Sequence, residues 1–125
     1  MKDPVSRYDA IIVGAGFSGL YQLHLLRDKL NLRCILIEAG DGVGGTWYWN
    51  RYPGARCDSP SHSYSYYFSE DLIKKWTWTE RYPGQPEIES YLNFVADELD
   101  LRTDICFGQT AVSYTHLTLP TTWLV

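Results

Sequence analysis

The stretch DAIIVGAGFSG, residues 9–19, decides the fold that this sequence predicts. Its apolar run leads into three glycines, Gly14, Gly16 and Gly19, with the spacing G-x-G-x-x-G. A second apolar run that ends in an acid, CILIE, follows at residues 34–38. A strand, a glycine turn, a helix and a strand that closes on an acidic residue form the fingerprint of a dinucleotide-binding βαβ unit. The sequence therefore predicts an α/β fold of Rossmann type with a parallel sheet.

Each part of the fingerprint has a physical role in binding a dinucleotide. Gly14 permits the tight turn after the first strand, Gly16 lets backbone approach a pyrophosphate, and Gly19 allows close packing of helix on sheet. The helix N-terminus offers free N–H groups to the phosphates. Glu38, 19 residues after Gly19, can accept hydrogen bonds from a ribose diol and would repel a 2′-phosphate. We expect FAD or NAD here, not NADP; the alternative is an ordinary turn without a ligand.

Length and composition restrict the classes of protein that the chain can form. Its 125 residues suit one domain, and a formal net charge of −4 gives no support to nucleic-acid binding. No apolar run approaches the roughly 18 residues of a membrane span. Cys34, Cys57 and Cys106 lack C-x-x-C spacing and the histidines are scattered, so no metal site is suggested. We expect reduced thiols and a cytoplasmic location.

The remaining secondary structure is predicted from hydrophobic periodicity. Leu20, Leu23, Leu26 and Leu30 form an apolar stripe that predicts an amphipathic helix after the glycine turn. A second such pattern includes a proline in its first turn. The predicted strands cover residues 8–13, 33–38 and 105–107, and the predicted helices cover residues 16–29, 70–76 and 85–99. Only about three strands can be identified, so the sheet is expected to be incomplete, because a full dinucleotide-binding fold has about six.

A segment rich in glycine and aromatic residues, GDGVGGTWYWNRYPGARCD at residues 40–58, follows the second strand. Gly44 and Gly45 come soon after the ribose-binding acid, so backbone there can pass near the rest of a bound dinucleotide. This arrangement favours FAD over NAD, because a flavin extends along a ribityl chain. The aromatic side chains could wall a flat ring, and Arg51 and Arg56 could bind phosphates. The alternative is an aromatic core loop with surface arginines.

Three runs together resemble the class B flavin-containing monooxygenases: VGAGFSGL at 13–20, GGTWYWNRYPGARCD at 44–58 and WTWTERYPGQPEIESYLNFVADELDLR at 76–102. The likeness is to the Baeyer–Villiger type that includes cyclohexanone and phenylacetone monooxygenases, and it extends over residues 8–108. It implies FAD in a first Rossmann domain and NADPH at a second one, mostly outside this chain. It also implies that a C4a-peroxyflavin inserts one oxygen atom of O₂ into a small-molecule ketone.

Residue by residue, the resemblance implies FAD contacts from the glycine turn, the ribose-binding acid and the aromatic loop, and a segment that meets NADP. Asp58 would also orient the nicotinamide and the active-site arginine, and no other residue is given a catalytic role. The run DSPSH at 58–62 departs from the family pattern, which weakens the inference for Tyr64. The implied cofactor-binding residues are Gly14, Gly16, Ser18, Gly19, Glu38, Gly45, Thr46, Trp47, Tyr48, Trp49, Arg56, Cys57, Asp58 and Tyr64.

Several features of such enzymes have no counterpart in this sequence. There is no second G-x-G-x-x-G, no F-x-G-x-x-x-H-x-x-x-W run and no assigned catalytic arginine. We therefore expect the chain alone to be inactive, as part of a larger monooxygenase. The alternatives are a monooxygenase that oxidises nitrogen or sulfur or hydroxylates an amine, an NAD-dependent dehydrogenase, and a non-catalytic nucleotide-binding module. Oligomeric state does not follow from the sequence.

The last fifteen residues, 111–125, differ from the rest because they contain no Asp, Glu, Lys or Arg. Residues 112–121, VSYTHLTLPT, have the β-propensity of a strand, but they also match one translated frame of a transposon-derived sequencing adapter. We therefore expect residues 1–110 to be the N-terminal part of an FAD-binding Rossmann domain and residues 111–125 to be a non-native tail.

Sequencing the source DNA across the codons for Thr110 to Val125 tests this expectation. We expect an uninterrupted reading frame in place of the adapter-like codons, continuing into a second G-x-G-x-x-G motif. Genomic codons for Val112 to Val125 followed by a stop would contradict it and favour a small nucleotide-binding protein.

Overall fold

The computed structural model describes residues 7–111 and the backbone of residues 122–124. Four parallel strands form one sheet in the order β3-β2-β1-β4. This confirms the predicted Rossmann-type parallel sheet. The strands are β1 (Ala10–Val13), β2 (Cys34–Glu38), β3 (Ile105–Phe107) and β4 (Thr122–Leu124), and the helices are α1 (Phe17–His24), α2 (Thr46–Trp49), α3 (Glu70–Lys75) and α4 (Gln85–Glu98).

The centre of the sheet is the pair β1–β2, aligned from Ala10 opposite Cys34 to Val13 opposite Ile37. Strands buried on both faces read as continuous apolar runs, which is why β1 and β2 show no alternation of polar residues. Leu36 is fully buried and joins the main hydrophobic cluster with residues of α1 and α4. The pairing brings the carboxyl ends of both strands to one edge of the sheet.

Helix α1 starts directly after the glycine turn and continues as a π-helix over Leu25–Lys29. Leu20 and Leu23 are fully buried, as the helical spacing predicts, whereas Leu30 is 57% exposed. The prediction was wrong for Leu30 because the wider π-turn shifts the phase of the side chains and the helix has already ended there.

The side chain of Arg27 forms a clamp between the end of this helix and the segment that leads into β3. Its guanidinium donates to the main-chain oxygens of Leu99 and Asp100, at 2.8 and 2.7 Å, and to the carboxylate of Asp104 at 3.0 Å. Its hydrogen bond to Asp28 lowers the pKa of that carboxyl. The clamp fixes where β3 begins, and therefore where β3 ends beside β2.

The structure bears on the expectations that composition gave for membrane spans, metal sites and cysteines. In the described residues no helix is long and apolar enough to cross a membrane, and no cluster of three or more metal-ligating side chains occurs. The cysteines are free thiols, all of them buried.

Strand β4 was not predicted. It pairs in parallel with β1, from Ala10 opposite Thr122 to Ile12 opposite Leu124. An unpaired strand edge presents N–H and C=O groups to any extended segment, so the free edge of β1 attracts a strand whatever its origin. The expectation that residues 111–125 are non-native stays a prediction, since residues 112–121 lie outside those the structure describes.

We expect Gly19→Ala to destabilise the chain severely. A Cβ on Gly19 would lie 1.8 Å from the main-chain oxygen of Gly14, and neither backbone can move without opening the βα turn. Urea denaturation followed by circular dichroism should show a loss of about 3 kcal/mol or more.

Gly16→Ala is the matched control for this experiment. Gly16 has φ −90°, and its added Cβ would meet the Cα of Gly45 at 3.5 Å, an ordinary contact. Equal urea midpoints for the two variants would refute the steric argument for Gly19.

Candidate dinucleotide-binding site

Two adjoining clefts lie where β1 and β2 end, the place at which parallel α/β sheets bind ligands. One cleft, of about 460 Å³, has Glu38 in its wall; the other, of about 310 Å³, contains the glycine turn. The two share four wall residues and form one continuous groove. The shared residues are Val13, Gly14, Gly45 and Thr46.

Bare backbone from two glycine segments forms the centre of this groove. Gly14 has φ +95° and Gly45 has φ +56°, conformations that L side chains rarely adopt. A Cβ on Gly45 would lie 2.8 Å from the Cα of Gly16, so the two segments touch backbone to backbone. The N–H of Gly44 donates to the main-chain oxygen of Ala15 at 2.9 Å and fixes this contact.

The N-terminus of α1 faces the groove through Phe17, Ser18 and Gly19, which are wall residues. Within the described residues, no side chain caps this terminus and its first turn contains no acid. The first N–H groups of a helix have no partner inside the helix, and the helix dipole adds positive potential there. The terminus therefore suits an anionic group such as a pyrophosphate.

Glu38 is 4% exposed, and its carboxylate joins the loops on either side of the groove. Its Oε1 accepts from the N–H of Ala15 at 2.8 Å, and its Oε2 accepts from the N–H of Gly40 at 2.7 Å. A carboxylate has about four lone-pair sites, so acceptor capacity remains for a ribose diol. The structure thus adds a loop-holding role to the ligand role predicted from the sequence.

The aromatic loop brings some of its predicted residues to the groove. Thr46 lines both clefts and Trp49, 61% exposed, lines the one that contains Glu38. Buried Trp47 lines the glycine cleft and donates its indole N–H to the Tyr64 hydroxyl at 2.9 Å. Tyr64 lines the same cleft and packs edge-on against Phe17, with ring centroids 4.5 Å apart. An aromatic wall therefore stands beside the helix terminus.

Tyr48 is placed differently from the other aromatic residues of this loop. Its hydroxyl accepts from the N–H of Asp41 at 2.9 Å, and its ring would lie 2.5 Å from a Cβ on Gly40 and 3.2 Å from a Cβ on Gly42. Among the described residues, neither cleft has Tyr48 in its wall. Here Tyr48 supports the loop from behind, and the flavin contact inferred from the sequence stays a prediction.

The predicted NADP-contacting segment also lies outside the two clefts, whose described walls do not include it. Arg56 pairs with Glu80 and donates to the main-chain oxygen of Tyr82. Cys57 is buried and its N–H donates to the oxygen of Pro83 at 2.9 Å, while Asp58 is exposed. The cofactor contacts inferred for Arg56, Cys57 and Asp58 stay predictions.

Sequence reasoning missed the residues after β3. Gln109, Thr110 and Ala111 line the cleft that contains Glu38, and the N–H of Gln109 donates to the main-chain oxygen of Glu38 at 3.1 Å. The signal was available, because a strand parallel to β2 must end beside Glu38. Asn50, which follows α2, also lines this cleft.

A buried tyrosine holds the start of α1 by a hydrogen bond to its main chain. The Tyr66 hydroxyl donates to the main-chain oxygen of Phe17, and the N–H of Tyr66 donates to the Tyr91 hydroxyl at 2.9 Å. Burial raises the pKa of the Tyr66 phenol, so the group stays protonated and remains a donor.

The sequence of this chain is similar to a family of nucleotide-binding domains and to known monooxygenases. A family model described as an NAD(P)-binding Rossmann-like domain matches residues 12–74. The chain is 58% identical over 97 residues to the acetone monooxygenase (methyl acetate-forming) of Gordonia sp. (strain TY-5), covering 78% of this chain and 18% of that enzyme. It is 47% identical over 100 residues to phenazine N-monooxygenase PhzNO1 of Lysobacter antibioticus, covering 80% of this chain and 18% of that enzyme.

Solved structures agree with the sequence matches. The crystal structure of OTEMO in complex with FAD and NADP superposes with a TM-score of 0.75 at 43% identity, covering 86% of this chain and 20% of that one. The chain therefore spans about a fifth of the length of the proteins that it matches.

We expect Glu38→Gln to lower the free energy of unfolding even without a ligand. The amide can accept from only one of the two N–H groups, and its NH₂ would face the other, leaving a buried donor unpaired at about 1–3 kcal/mol. Urea denaturation measures the loss.

Asp41→Asn is the matched control, because it removes an exposed negative charge three residues away without removing either bond of Glu38. If both variants had the wild-type urea midpoint, the Glu38 carboxylate would not hold the loops.

Proposed function

We propose that this chain, which belongs to the NAD(P)-binding Rossmann-like domain family, is the FAD-binding segment of a flavin-dependent monooxygenase of the Baeyer–Villiger type. The observation that carries the proposal is the groove of bare glycine backbone between the α1 N-terminus and Glu38. An anion site and a ribose acceptor at opposite sides of one groove suit a dinucleotide. The aromatic wall beyond them suits a flavin better than a nicotinamide.

Each group of wall residues has a task in this proposal. The N–H groups at the start of α1 and the turn at Gly14 and Gly16 would bind the pyrophosphate. Glu38 would accept from the adenosine ribose, while Thr46 and Trp47 would face the flavin side. When bound, FAD would supply the redox centre that takes electrons from NADPH and passes them to O₂. This chain's contribution is to hold that centre in place and to cover it with aromatic surface.

The proposed substrate of the parent enzyme is a small ketone, which would receive one oxygen atom. The name and 58% identity of the acetone monooxygenase support this choice. Oxidation of a heteroatom is the second candidate, since a phenazine N-monooxygenase is 47% identical over a similar stretch. We also propose that residues 1–110 are the N-terminal part of the FAD-binding domain and that residues 111–125 are a non-native tail. The proposed location of the parent enzyme is the cytoplasm.

Titration of the purified 125-residue chain with FAD tests the proposal. We expect bound FAD to quench the fluorescence of the chain and to raise its melting temperature. We expect NADP to compete poorly with FAD because Glu38 repels the 2′-phosphate. At 100 times the dissociation constant, FAD would add about 2.7 kcal/mol of stability.

Gly16→Ala provides the internal control for this titration. Its Cβ is tolerated by the fold but would occupy the space of the pyrophosphate, so we expect at least a tenfold weaker affinity at an unchanged melting temperature without FAD. A well-folded wild-type chain whose melt does not respond to FAD would overturn the proposal.

A further inference from the structure

Gln85, the first residue of α4, is a polar side chain that is only 7% exposed and contacts the aromatic loop. Its amide NH₂ donates both to the main-chain oxygen of Trp47 and to the carboxylate of Glu89. Buried polar groups are stable only when they are hydrogen-bonded, so the position of Gln85 is coupled to that of the Trp47 carbonyl. Among the described residues, Gln85 is not part of the wall of either cleft.

Helix α2, which accepts this hydrogen bond at the Trp47 oxygen, is not stable by itself. Helix α2 has only four residues, about one turn, and a single turn is unstable without outside contacts. Its last carbonyls have no partner within the helix and need donors from elsewhere. The Gln85 amide donates to the oxygen of Trp47, and Nε of Arg51 donates to the oxygen of Tyr48 at 2.7 Å.

Glu89 connects the two donors to each other. Its Oε2 accepts from Gln85 and its Oε1 accepts from Nη2 of Arg51 at 2.9 Å. The Arg51 guanidinium also lies 4.7 Å from the centre of the Tyr48 ring. One turn of α4 thus fixes the C-terminal end of α2 through two side chains.

The N-terminal end of α2 borders the dinucleotide groove. Thr46 lines both clefts and Trp47 lines one, while Gly45 lies against Gly16. A shift of α2 would therefore move the aromatic wall and open the contact between the two glycine segments. The hydrogen bond from Gln85 to the Trp47 oxygen therefore acts on the same four-residue helix that supplies part of the groove wall.

We propose that Gln85 is a positioning residue for the FAD site: through the Trp47 carbonyl it holds α2 and so sets the flavin-side wall, without touching the cofactor. This inference rests on the proposed function for its consequence in FAD affinity. Its structural half concerns only the order of α2, and it can be measured on the chain without any ligand.

Hydrogen exchange of the full 125-residue chain tests the structural half. The amides of Trp49 and Asn50 donate to Gly45 and Thr46 and report the order of α2, while the amides of β1 and β2 report the rest of the fold. In Gln85→Leu, which keeps the side-chain bulk but not the donor, we expect α2 protection to fall about fivefold to tenfold with strand protection unchanged. Unchanged α2 protection in a folded Gln85→Leu would overturn the proposal.

Gln85→Glu gives a second test that loss of packing cannot imitate. At neutral pH its carboxylate would face the Trp47 oxygen and the Glu89 carboxylate, and the nearby negative charge favours the protonated form. Glu89 stays paired with the Arg51 guanidinium at 2.9 Å, so lowering the pH from 7 towards 5 should protonate the introduced carboxyl and restore a donor to the Trp47 oxygen. We expect α2 protection to recover on acidification in this variant only; the same pH response in wild type, or none in the variant, would overturn the proposal.

FAD titration of the same proteins connects the order of α2 to the site. We expect both variants to bind FAD at least fivefold more weakly at pH 7, and Gln85→Glu to regain affinity as its α2 protection returns. Ser90→Ala, an exposed change on α4, is the control and should match wild type. Equal affinities for all variants would overturn the effect on the site, whereas no FAD binding by wild type would overturn the proposed function and leave the exchange result to decide the role of Gln85.

Discussion

The carboxylate of Glu38 is the contact on which the groove depends, because it joins loops that the sheet alone would leave independent. One oxygen holds the turn after β1 through Ala15, and the other holds the start of the aromatic loop through Gly40. The main-chain oxygen of the same residue receives the N–H of Gln109 after β3. Burying a charge is costly unless it is hydrogen-bonded, and here both oxygens have main-chain donors. The carboxyl ends of β1, β2 and β3 therefore converge on one residue.

A groove formed by glycine backbone needs these hydrogen bonds because glycine has no side chain that could hold the backbone in place. Gly14, Gly44 and Gly45 hold positive φ values, and glycine loses more conformational freedom on folding than any other residue. The segments keep their shape through contacts from outside: Glu38 on the sheet side, and Gln85 behind α2. Both donate or accept at main-chain atoms, so they fix the backbone while leaving the face of the groove open to a ligand.

The sequence predicted what is local and missed what is distant. The βαβ unit follows from short-range signals, namely an apolar run, a glycine spacing and an acid, and both of its strands were predicted to within two residues of their observed bounds. The one-turn helix α2 carries no periodic signal and is held by Gln85, 38 positions away, so no window of sequence could reveal it. The phase shift at Leu30 comes from a π-turn, whose cause is equally invisible to helical spacing.

Under the proposed function, this segment serves to bind the cofactor and does not select the substrate. An acetone monooxygenase and a phenazine N-monooxygenase share it with this chain at 58% and 47% identity, although their names describe oxidation of a carbon skeleton and of a nitrogen. Every group that the groove presents, whether glycine backbone, helix terminus, buried carboxylate or aromatic ring, complements a part of a dinucleotide. None of these groups distinguishes a ketone from a ring nitrogen, so under the proposed function the choice between the two reactions would come from residues that contact the substrate.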